Sequence, residues 1–157
     1  MKAKKVQGIV CLVVFLLFAN QAWAAEWVLC ASPSSGARLY YDKSSIKKVD
    51  NDIIRVSNKF VYNSKSEKKN AFAALKGINK APKNPDIMSY DLSVNEIDCV
   101  NKKHRLVSVT FYNVKGKAIY SSSKFSKEWN QIVSESFMEK IQNTVCSDCK
   151  NCESKKE

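Results

Sequence analysis

From Glu26 to Ser122 the chain is a succession of short runs rich in β-branched and aromatic residues, each closed by a turn signal. That rhythm narrows the fold more than any other feature. The runs are Glu26 to Ala31, Ala37 to Asp42, Ile53 to Tyr62, Ile87 to Val100, His104 to Tyr112 and Lys117 to Ser122. Clusters such as Ser32-Pro33-Ser34-Ser35-Gly36, Asp50-Asn51-Asp52 and Asn101-Lys102-Lys103 separate them, and Asn113-Val114-Lys115-Gly116 places a glycine where a turn often needs positive φ. Runs joined so closely pair as hairpins, so the spacing predicts an antiparallel sheet of about six strands. In the third run Ile54, Val56, Phe60 and Tyr62 share a face that Asn58 interrupts. In the fourth, Tyr90, Leu92 and Val94 share one face while Ile97 and Cys99 share the other, which predicts a bulge near Asn95. Val107, Val109 and Phe111 line one face of the fifth.

Beyond Ser122 the periodicity changes. Trp129, Ile132 and Val133 have helical spacing, Ser136 with Glu139 fits a capping box, and Met138, Ile141 and Val145 make an i, i+3, i+7 stripe. Such a stripe is buried most simply across one face of the sheet, where removing apolar surface from water gains roughly 25 cal/mol per Å². The fold class expected is α+β, mainly β: a six-stranded antiparallel sheet with a C-terminal helix across one face. Between the third and fourth strands lies a basic segment in which Glu67 to Lys76 can form a short helix, with Phe72 and Leu75 inward and Gly77 as its stop. Its Lys65, Lys68, Lys69, Lys76, Lys80 and Lys83 are the candidate contact for polyanions; a solvated loop is the plainer reading of the same residues.

The first 24 residues read as an export signal. A basic start at Met1-Lys2-Ala3-Lys4-Lys5 precedes an apolar run from Gly8 to Ala19 that is too short to span a bilayer, and Ala22-Trp23-Ala24 offers the small residues a signal peptidase accepts. Removing it lowers the formal net charge from +11 to +8, because Lys2, Lys4 and Lys5 leave with it. No later segment is apolar enough to cross a membrane, so the mature chain reads as a basic protein of the periplasm, cell surface or extracellular space. Trp27-Val28-Leu29 before Cys30 lacks the small residues that lipidation at that cysteine requires.

Cys11 leaves with the signal, and the remaining Cys30, Cys99, Cys146, Cys149 and Cys152 are odd in number, so one thiol is left over in an oxidising compartment. The C-x-x-C-x-x-C at the C-terminus is open to three readings: disulfide staples, a redox-active pair or a metal site. With a single histidine, His104, and only four glycines, the chain has little material for imidazole catalysis or phosphate-cradling loops. His104 reads as an exposed strand residue. No catalytic residue, metal ligand or cofactor is assigned.

The order Leu39-Tyr40-Tyr41-Asp42 with Ser45-Ile46, then Asn95-Glu96-Ile97-Asp98-Cys99, Phe111-Tyr112 with Gly116-Lys117, Trp129, Ser136 and Val145-Cys146 resembles the surface-adhesin protein E-like domain of bacterial exported proteins. The resemblance implies a six-stranded sheet with its C-terminal helix tethered by a disulfide, carried here onto Cys99 and Cys146. It also implies adhesion to host matrix or serum proteins. Cys30, Cys149 and Cys152 are left as candidates for a second bridge. The organisation expected is a signal peptide over 1–24, the adhesin E-like domain over 25–146 and a polar, cysteine-containing tail over 147–157.

The function expected is an exported, non-enzymatic binding module contacting extracellular proteins or polyanions, without specific nucleic-acid recognition, its spare thiol able to link two chains. The alternative is a redox or metal-handling protein acting through Cys146, Cys149 and Cys152.

Overall fold

The structure, a computed structural model, describes residues 24–34, 36–124 and 127–147, together with the backbone alone of 148–150. The expected export signal, Cys11, Cys152 and most of the polar tail lie outside the described residues, as does the side chain of Cys149.

Eight strands make one antiparallel sheet: β1 (Trp27–Ala31), β2 (Arg38–Asp42), β3 (Lys47–Asp50), β4 (Ile53–Val61), β5 (Met88–Asp98), β6 (Lys103–Asn113), β7 (Ala118–Ser122) and β8 (Asn130–Gln131). Their order is β1-β2-β4-β5-β6-β7, with β3 added to β4 and β8 to β6. The long central hairpins hold the longest registers, Ile53 opposite Asp98 through Val61 opposite Tyr90, and Met88 opposite Asn113 through Asp98 opposite Lys103. The six strands expected from the sequence are present. The two extra ones escaped that reading for physical reasons. All of β3 is solvent-exposed, so no apolar alternation marks it. β8 falls where Trp129, Ile132 and Val133 suggested a helix; instead Ile132 is buried, its neighbour Val133 is 70% exposed, and the Ile132 N–H donates to the Lys102 carbonyl. Adjacent residues on opposite sides are the mark of extended chain.

The bulge expected near Asn95 is found as a register shift, but Val94 opposes Ser108 while Asn95 opposes Leu106, so the extra residue is Val107 on β6. β5 itself alternates without interruption against β4. Its apolar residues change sides because Tyr90, Leu92 and Val94 lie on one face of the sheet and Ile97 on the other, both faces being partly buried there.

Helix α1 (Lys65–Gly77) starts at Ser64, whose hydroxyl accepts the Glu67 N–H while Glu67 returns a bond to the Ser64 N–H. Helix α2 (Phe137–Lys150) begins with the Ser136 hydroxyl on the Glu139 N–H; the Glu139 carboxylate reaches back to the Glu135 N–H rather than to Ser136. Both helices cover the same face of the sheet. Ile141 and Val145 of α2 pack with Leu39, Tyr41, Ile54, Val56 and Ile97, and Ala71 and Leu75 of α1 pack with Tyr62 and Met88. Phe60 touches both clusters. Asn58, the interruption in that row, is buried with neither amide atom hydrogen-bonded.

Cys99, just past β5, is bridged to Cys146 on α2 with Cα atoms 5.9 Å apart and a sequence separation of 47. In the chain-entropy account, closing such a loop stabilises the fold by about 4 kcal/mol, a large share of the 5–15 kcal/mol typical of a domain.

Candidate recognition surface

The alternation that sends Ile54, Val56 and Phe60 toward the helices sends Arg55, Ser57 and Lys59 to the other side, and among the described residues no helix covers that side. Cross-strand pairing builds it into a patch: Arg55 opposes Glu96, Glu96 opposes Arg105, and Lys59 lies between Tyr40 and Leu92. Glu96 is 3% exposed and is held by both arginines. Arg55 Nε and Nη2 donate to its Oε1 at 3.0 and 2.5 Å, and Arg105 Nε donates to its Oε2 at 2.6 Å. Burial opposes ionisation of Glu96, but the hydrogen bonds and charges of Arg55 and Arg105 outweigh it and hold the carboxyl below the usual range. One carboxylate therefore fixes two guanidinium groups, which keep side-chain exposures of 46% and 31%.

Rings complete the patch. Lys59 Nζ lies 4.7 Å from the Tyr90 ring centre and 6.0 Å from that of Trp27, and the Arg105 guanidinium lies 4.6 Å from Trp129. Tyr90 stacks on Tyr112 at 4.7 Å. A cation over a ring keeps its outward N–H groups available while its stem is ordered, so the charge is presented at reduced entropic cost. This arrangement suits a partner that carries anionic groups. The sequence reading passed over Arg55, Lys59 and Arg105; the signal was the i, i+4 spacing of Arg55 and Lys59 within a strand, which puts both on one face.

The lysines expected to contact polyanions divide. At 100° per residue, Lys65, Lys69 and Lys76 fall within about 40° of one another along the exposed side of α1. Lys68 turns toward the buried side and donates to the Asp86 carbonyl at 3.2 Å. Lys80 and Lys83 are exposed in the connection that follows. Because α1 packs on the covered face, these lysines and the patch around Lys59 belong to opposite sides of the sheet.

The motif residues have structural duties. Asp42 Oδ1 accepts from the N–H of Glu26 and from the N–H and hydroxyl of Ser44, closing the 3₁₀ turn Lys43–Ser45. The Ser45 hydroxyl donates to the Asp42 carbonyl and accepts the Ser57 N–H, tying that turn to β4. Asp98 accepts from Val100 and Asn101 to form the β5–β6 turn, and Ile97 is wholly buried. Cys30 is a free thiol whose Sγ lies 3.7 Å from Thr144 Oγ1, against the α2 core. His104 is not an exposed strand residue: it opposes Ile97 on the covered side, and burial, which leaves its Nδ1 without a partner, pushes the imidazole pKa down.

The class of fold is a disulfide-tethered antiparallel sheet with one face under helices and the other presenting cations over rings. The chain belongs to the surface-adhesin protein E family, which it matches over residues 27–147. Among solved structures it is similar to a crystal form of Haemophilus influenzae protein E, with 18% identity and a TM-score of 0.49, covering 77% of this chain and 97% of that one. It is also similar to protein E from non-typeable Haemophilus influenzae, with 14% identity and a TM-score of 0.46, covering 82% and 88%. No curated protein matches it. Among the described residues no helix is long and apolar enough to cross a membrane.

Proposed function

We propose that this chain is a non-enzymatic adhesin-like module, exported by cleavage after Ala24, that recognises polyanions outside the cytoplasm with the uncovered face of its sheet. Membership of a surface-adhesin family supports binding as the task. The observation that carries the surface is the set Arg55, Lys59 and Arg105, ordered by Glu96, Tyr90 and Trp129 on the side that neither α1 nor α2 covers. The aligned Lys65, Lys69 and Lys76 form a second basic surface, on the opposite side, that adds affinity for a long or flexible polyanion.

The redox or metal alternative is weaker, because the Cys146 sulfur is already joined to Cys99. Using it elsewhere would release α2 from the sheet. The thiol of Cys30 and the two tail cysteines remain candidates for a second bridge or for a link between two chains.

Retention of the mature chain on immobilised heparin, read against salt, tests the reading. The wild type should be eluted by salt, and Lys59→Gln should reduce the slope of log affinity against log salt by about one, as expected when a single contact with a polyelectrolyte is lost. Replacing Lys65, Lys69 and Lys76 by Gln should have a smaller effect per lysine. Equal retention of wild type and Lys59→Gln removes the sheet face from the proposal.

A further inference from the structure

We infer that the cleft between the first turns of α1 and α2 is a separate ligand site, one that takes a protonated alkylamine such as a lysine side chain. It lies on the covered face, where Phe60 opposes Asp91 and Asp91 opposes Phe111 in a single cross-strand row. Phe137, the first residue of α2, meets Phe60 edge-on with centroids 5.4 Å apart, and Glu67 of α1 faces the same space. The cleft is open to solvent and holds about 470 Å³, within the range of small-ligand pockets.

The side chains that line the cleft include two carboxylates and no Lys or Arg, set against the partial positive charge of two helix N-termini, one of which Glu67 caps. Asp91 Oδ2 accepts a 2.5 Å hydrogen bond from the Tyr62 hydroxyl, and among the described residues no Lys or Arg forms an ion pair with it. Phe60, Phe111 and Tyr62 adjoin it and Phe137 lines the same cleft, each ring with a negative face. Desolvation, only partly offset by the Tyr62 bond, pushes the Asp91 pKa up to about 6, and burial beside that carboxylate drives the Tyr62 phenol above its ordinary value. The charged or titratable groups facing Asp91 are Tyr62, just past β4, and Glu67 from α1, while β6 and α2 contribute the neutral Phe111 and Phe137. Glu67 is committed to the N–H groups of Asn63 and Ser64. A desolvated carboxylate among rings lacks a cation, and an alkylammonium supplies both the counter-charge and a stem that the rings can cover.

The test is a titration of the mature chain with Nα-acetyl-lysine methylamide, followed by NMR shifts at Tyr62, Asp91 and Phe137. Saturable shifts are expected, with the norleucine analogue, which lacks the charge, binding much more weakly. Because Asp91 is mostly protonated at pH 5 and mostly ionised at pH 7.5, affinity should fall about tenfold at the lower pH. Asp91→Asn should abolish binding, and Lys59→Gln should leave it unchanged. Phe137 is 37% exposed at the rim; Phe137→Ala should retain the fold and weaken binding, which keeps the test decisive should the Asp91 variant fail to fold. Cadaverine is the second arm. Equal binding assigns the cleft to free amines, and tighter binding of the lysine probe assigns it to a protein partner; either supports amine recognition. The absence of saturable shifts, equal binding of the norleucine analogue, or undiminished binding by Asp91→Asn overturns the inference.

Discussion

The two faces of the sheet are built from alternate residues of the same strands, yet they are held by different physics. On the covered face, Ile54, Val56 and Ile97 are buried under Ile141 and Val145, and the contacts are apolar and non-directional. On the uncovered face, Arg55, Glu96, Arg105 and Lys59 are placed by hydrogen bonds and ring contacts of defined geometry. The covered face therefore carries most of the stability, and the uncovered face is the one to which the proposed function assigns recognition. A strand such as β4 serves both because its side chains point alternately to either side.

Variants that break this division should differ in size. The largest effect is expected from Cys146→Ser, which frees α2: the fold should lose about 3–4 kcal/mol, read from urea denaturation, with amide exchange rising first in α2. Loss of heparin retention in step with that of the α2 contacts would argue that the two faces are not separable. Next is Ile97→Ala, in the buried centre of the covered face, which should cost about 2–5 kcal/mol by opening a cavity.

Glu96→Gln should follow, at about 1–3 kcal/mol, by leaving two arginines around a neutral amide. The sign of its pH dependence is fixed. The folded-state pKa of Glu96 lies below its unfolded value, so its contribution is present above the unfolded pKa and fades as pH falls through the folded one. The stability gap between wild type and Glu96→Gln should therefore close in acid.

Asp91 behaves oppositely. With its pKa raised from 3.8 to about 6, the folded state holds that proton more tightly, so stability should decline as pH rises between those values. Asp91→Asn should remove about 1–2 kcal/mol of that decline, allowing for the carboxyl's partial exposure. The smallest stability effect belongs to Lys59→Gln, within about 0.5 kcal/mol by thermal denaturation, although it should alter polyanion binding most per charge.

The covered face was the more legible in sequence. Ile54, Val56, Phe60 and Tyr62 repeat at period two, Met138, Ile141 and Val145 repeat at helical spacing, and burial writes both patterns in apolar residues. The Ser64 and Glu67 capping pair that starts α1 is not among the sequence expectations, which begin the short helix at Glu67, two residues inside its observed start at Lys65. The uncovered patch was hidden because its members come from β1, β4, β5, β6 and the segment before β8. Nothing local says that Glu96 sits between Arg55 and Arg105; only strand register does. The same holds for the cleft, where Phe60, Asp91 and Phe111 are far apart in sequence and adjacent across three strands. The pairing of Cys99 with Cys146 came from family resemblance, since spacing alone could not choose among the three C-terminal cysteines.

The most direct test of the division between faces is an NMR titration of the mature chain with a defined heparin oligosaccharide, reading backbone shifts strand by strand. The account predicts perturbation centred on Arg55, Lys59, Tyr90 and Arg105, with weaker changes at Lys65, Lys69 and Lys76 and none in the buried half of α2. Perturbation confined to α1, or spread evenly over both faces, would contradict it.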